Sequence, residues 1–107
     1  MHPWLLLALA GVAEIGWVIG LKYSEGFTRV GPSAFTLAMM GLSMWLLGLA
    51  TKTLPIGTAY AVWTGIGAAG AAIAGIFLFQ ESSAPLRLAC IALIVAGVAG
   101  LKLTTPG

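Results

Sequence analysis

Charge is scarce in this sequence. Of 107 residues, five are Lys or Arg and three are Asp or Glu, 7% together, while 60% are hydrophobic. A soluble domain carries charge on about a quarter of its residues. A water-soluble fold, and with it a soluble catalytic domain, is therefore excluded, and no enzyme is expected. Cysteine is nearly missing too. Cys90 stands alone inside an apolar run, so no internal disulfide can form, and it reads as a small packing residue. The single histidine, His2, lies at the terminus with nothing to make it a metal ligand, and no metal or cofactor is expected. The five basic residues do not cluster. Lys22, Arg29, Lys52, Arg87 and Lys102 each stand at the end of an apolar run. That is the pattern of side chains snorkelling to lipid headgroups, and it excludes a nucleic-acid partner.

What remains is long apolar runs. Four stand out, at about 4–21, 31–50, 57–79 and 86–103. Each is about the 17–25 residues that cross a bilayer as a helix, and helices satisfy their own backbone in lipid. The expected fold is an all-α membrane protein of four transmembrane helices in a single domain over 1–107. The first run could pass for a secretory signal, since Ala8-Leu9-Ala10 resembles a cleavage site. Only Trp4–Leu7 would precede that site as an apolar core, and no Lys or Arg lies upstream, so the run is read as retained. Ser24-Glu25-Gly26 supplies loop chemistry, and Pro32, Pro55 and Pro85 each mark the start of the following helix. The connections are short, so sequential helices should be antiparallel neighbours. One side of the membrane carries Lys52 and Lys102, the other Lys22, Arg29 and Arg87. Three against two is a weak orientation signal, which points to insertion with small preference or in both directions.

Glu14 is the only acidic residue inside any of these runs. A charge at the bilayer centre costs about 2.5–3.5 kcal/mol on insertion scales. Such a residue usually faces a bundle interior or a wet cavity and serves an ion or proton path. The other reading is a protonated carboxyl hydrogen-bonded between helices and serving packing alone. Trp17 lies one turn on, and its indole N–H is a donor only. Ser43 is the central hydroxyl of the second helix, either a site group or bonded to its own helix backbone. Tyr60 and Trp63 share a face of the third helix, as site groups or as interfacial belt aromatics, a role Trp63 fits less well because it lies deeper. Gly65-Ile66-Gly67, followed by Gly70, thins that helix, for close packing or as a hinge. The fourth helix has no charge before Lys102 and carries Ala89, Ala92, Ala96 and Gly100, with Gly97 beside them. Small residues at this spacing favour helix association, so this helix reads as a dimerisation element.

A transporter exposes one site to each side in turn, often through inverted repeats with the site at the midplane. No such repeat is visible within this chain. An antiparallel homodimer would supply the symmetry from two copies and bring two Glu14 side chains to one cavity. Protons and a cation would compete for that anionic site, which is the basis of exchange.

These residues resemble the small multidrug resistance family over essentially the whole chain, and within it the guanidinium-exporting subtype. The resemblance is carried by Glu14 with Trp17, by Leu21–Arg29 (LKYSEGFTR) and by Leu54–Gly67 (LPIGTAYAVWTGIG). The quaternary-ammonium-exporting subtype usually has Gly in place of Trp17 and Ser in place of Thr64. The resemblance implies an antiparallel homodimer in the bacterial inner membrane that exports guanidinium in exchange for protons. It implies that Glu14 binds substrate and protons, that Trp17, Ser43, Tyr60 and Trp63 brace it, and that Gly65 and Gly67 form the hinge. Guanidinium suits the site physically, because its planar N–H donors pair bidentately with carboxylates. Two alternatives stand beside this reading. One is a broad exporter of quaternary ammonium drugs, against which Trp17 argues by narrowing the cavity. The other is a non-transporting membrane subunit or passive cation channel.

Overall fold

The computed structural model describes residues 2–105. The chain forms four helices: α1 (Pro3–Tyr23), α2 (Val30–Ala50), α3 (Ile56–Leu78) and α4 (Pro85–Thr104). All four are long and apolar enough to cross a membrane. No strand occurs among the described residues. Helix ends fall within two residues of the sequence expectation. Helix α1 starts early because the His2 side chain caps it, Nδ1 accepting from the Trp4 backbone N–H at 3.2 Å. Terminal His2 is thus a helix cap. In the α1–α2 loop, Ser24 is fully buried and organises the turn. Its hydroxyl donates to the Leu21 carbonyl at 2.7 Å and accepts from the Phe27 N–H at 3.1 Å. Glu25, Gly26 and Phe27 all take positive φ, which only Gly26 adopts without steric cost.

Helix α1 is central. It packs against α2 along its length and against α3, while α4 packs chiefly on α3. Helices α2 and α3 barely touch, although the short 51–55 loop joins them. The expectation that sequential helices are neighbours holds only weakly at this pair, which meets at the Ser43–Trp63 bond and in the apolar core. The physical reason lies in α1, whose glycines admit neighbours on two sides. Gly20 faces Phe35 and Thr36 of α2, and Gly11 faces Ile66 of α3.

The largest apolar core lies toward the start of α1. It joins Trp4, Leu7 and Ala10 to Leu46, Leu47 and Ala50 of α2 and to Ala59 and Val62 of α3, closed below by Leu54. At the same end Lys102 Nζ sits 4.9 Å from the centre of the Trp4 ring, tying α4 to α1. The chain is flat, with extents of 42 × 34 × 17 Å. Many large apolar side chains consequently remain uncovered, among them Val12, Trp45, Tyr60, Leu93 and Val95.

Candidate functional site

Glu14 sits where α1 crosses α3, one turn beyond the core residue Ala10. The two helices interlock around it. Ile66 of α3 packs onto Gly11, and Ile15 of α1 packs onto Gly70. Between these contacts the Glu14 carboxylate lies directly over the backbone of Gly67. Glu14 is half-buried, and its Oε2 is out of solvent contact without a hydrogen-bond partner. The indole Nε1–H of Trp17 is likewise buried and unpaired. A buried donor and a buried acceptor left open on one face are costly in a finished structure. In a site that takes a ligand or a second chain, they are the groups that remain to be satisfied.

Ser43, by contrast, is fully satisfied and fully buried. Its hydroxyl donates to the Ala10 carbonyl of α1 at 2.7 Å and accepts from Trp63 Nε1 of α3 at 2.8 Å. The bond expected to its own helix backbone is not made. One hydroxyl of α2 instead links all three packed helices and fixes the Trp63 ring. The Tyr60 ring stacks against it, tilted by 49° with centroids 5.7 Å apart. Tyr60 is 57% exposed. The structure thus joins Ser43, Trp63 and Tyr60 into one braced group. Among the described residues, no hydrogen bond links Glu14 to Trp17, Ser43, Tyr60 or Trp63.

Helix α3 runs unbroken through Gly65 and Gly67, so both occupy regular helix here. Gly65 receives the Val98 side chain of α4. On α4 only Ile91 is buried. Ala92, Ala96 and Gly97 are exposed and Gly100 half-buried, and a Cβ added at Gly97 or Gly100 would meet nothing within 4 Å.

A cleft of about 740 Å³ opens between α1 and α3 on the loop side of Glu14. It reaches down to Val18 and Ala71 and stops short of Glu14 itself. The chain's other two carboxylates, Glu25 and Glu81, stand at its rim beside Lys22. Glu81 is engaged there, accepting from Arg87 Nη2 at 2.8 Å. Sequence reasoning missed two parts of this arrangement, the Ala10 carbonyl and the contact of Glu14 with Gly67. A backbone acceptor carries no residue signal, and a helical glycine does not tell which side chain fills the space beside it.

Four apolar spans, one of them carrying a half-buried carboxylate at mid-helix, define a multi-pass membrane protein. A family model described as Small Multidrug Resistance protein matches residues 2–94. The chain is similar to the guanidinium exporter of Escherichia coli (strain K12), with 59% identity over 102 residues, covering 95% of this chain and 97% of that protein. The guanidinium exporters of Citrobacter freundii and Salmonella typhimurium match with the same identity and coverage. This chain belongs to the small multidrug resistance family, and it is an integral multi-pass protein of the bacterial inner membrane.

Proposed function

We propose that the protein exports guanidinium and small guanidinyl cations in exchange for protons, as an antiparallel homodimer working by alternating access. The single observation that carries this reading is the Glu14 carboxylate, held at the middle of α1 with one oxygen buried and unpaired. A planar guanidinium supplies paired N–H donors to such an oxygen, and a proton is the competing occupant. Glu14 is accordingly the substrate- and proton-binding residue. Trp17, Ser43, Tyr60 and Trp63 support it, with Ser43 setting the Trp63 ring across three helices. Gly65 and Gly67 serve as the hinge through which α3 changes between the two faces. The flat shape of one chain and the uncovered face of α4 support pairing through Ala92, Ala96, Gly97 and Gly100. The near-identical length and high identity to proteins named guanidinium exporters support the choice of substrate.

Selectivity tests this reading. A hydrogen-bonding site rejects analogues that leave its polar groups unpaired, and a quaternary ammonium has no N–H to offer. Transport currents on solid-supported membranes should be large for guanidinium and methylguanidinium and small for tetrapropylammonium. Equal currents for guanidinium and tetrapropylammonium would favour a broad quaternary ammonium exporter instead.

A further inference from the structure

The Glu14 carboxylate rests against α3 between two contacts that interlock this helix with α1. Ile66 fills the space at Gly11, one turn before Glu14, and Ile15 fills the space at Gly70, one turn after Gly67. These two contacts fix the register of α1 on α3 and hold the carboxylate against the backbone between them. A Cβ on Gly67 would stand 2.8 Å from Glu14 Oε1 and closer still to the carboxyl carbon and Oε2. Real Cβ atoms essentially never come within 3.0 Å of another heavy atom, so a Cβ at 67 would push the carboxyl end of this flexible side chain out of its place. The neighbouring helix glycines differ in this respect. Gly65 receives Val98 and Gly70 receives Ile15, so neither touches the carboxylate.

We infer that Gly67 is a positioning residue for the substrate-binding carboxylate: its missing side chain forms the seat in which Glu14 rests. This inference rests on the reading of Glu14 as the binding group. It gives Gly67 a role separate from backbone flexibility. Any residue larger than glycine at 67 expels the carboxylate from its seat, whether or not α3 can still bend.

The two roles separate in a double-mutant cycle. Aspartate at position 14 is one methylene shorter, so its carboxylate withdraws from the seat and leaves room for a Cβ at 67. Guanidinium binding by calorimetry and proton-driven guanidinium uptake are measured for wild type, Gly67→Ala, Glu14→Asp and the double variant. Displacing a reacting group by about 1 Å costs as much as 100-fold, so Gly67→Ala should lose about 10–100-fold in binding and uptake. The double variant should match Glu14→Asp alone to within about threefold, because the clash is gone and the two losses do not multiply. Gly65→Ala, whose clash is with Val98, should not be relieved by Glu14→Asp. If Gly67→Ala gives no folded dimer, recovery of a folded, binding dimer in the double variant supports the seat equally. Losses that multiply in the double variant, unchanged binding in Gly67→Ala, or failure of both variants to fold would overturn it. Glu14→Gln separates the underlying reading: wild-type guanidinium binding in that variant would overturn the role of Glu14 itself, whatever the cycle shows.

Discussion

Ser43 shows how much a single hydroxyl can organise in a membrane protein. In water its two bonds would compete with solvent, but between helices in lipid the partners have no substitute. Removing the hydroxyl in Ser43→Ala leaves the Trp63 indole N–H without its acceptor and frees the ring that Tyr60 packs against. An unsatisfied buried donor costs about 1–3 kcal/mol. Ser43→Ala should therefore lower stability by about that amount in reversible denaturant titration of the purified protein, and slow guanidinium transport as well. An unchanged unfolding midpoint would show that the bridge contributes nothing. Trp17 has the opposite character, with a buried donor still open. On the proposed reading, its bulk one turn from Glu14 would limit the width of the site. Trp17→Gly should narrow the ratio of guanidinium to tetrapropylammonium current, and an unaltered ratio would remove Trp17 from the selectivity account.

At the scale of elements, the helices were legible and most of their contacts were not. Apolar runs and the prolines at 32, 55 and 85 locate the spans, because composition and missing N–H groups act locally. Glu14 was also legible, since a carboxylate in an apolar run is conspicuous wherever it stands. What could not be read was which helix lies beside which. The short 51–55 loop suggests that α2 and α3 pack together, yet α1 lies against both because Gly11 and Gly20 let them approach it. In the same way a mid-helix serine normally bonds its own backbone, and only the approach of α1 offers Ser43 the Ala10 carbonyl. Helix α4 leaves its small-residue face largely uncovered. Nothing in its own chain lies near Gly97, so Gly97→Leu should leave the protomer fold intact while reducing self-association. Energy transfer between labelled copies, diluted stepwise in lipid, reads this directly. A dimer as tight as wild type would place the interface elsewhere.

At the scale of the whole molecule, one chain presents one carboxylate within its apolar helices, in a flat array that covers only part of its apolar surface. On the proposed reading, two oppositely inserted copies would give an enclosed, two-sided site, and the nearly even distribution of basic residues would leave both orientations accessible. Two or three lysines appended after Gly107 should bias insertion toward one orientation. They should also lower activity in cells where this is the only copy. A terminal reporter found on one side of the membrane in the unaltered protein would contradict dual insertion.

The central claim is that Glu14 exchanges a proton for guanidinium. In sealed proteoliposomes without a pre-set pH difference, an imposed guanidinium gradient should drive protons the opposite way, recorded by an internal pH dye. Glu14→Gln, which keeps the side chain's shape but can carry neither a charge nor an exchangeable proton, should abolish that movement while the dimer stays folded. Guanidinium flux with no accompanying proton movement in the wild type, or coupled exchange that persists in Glu14→Gln, would contradict the account.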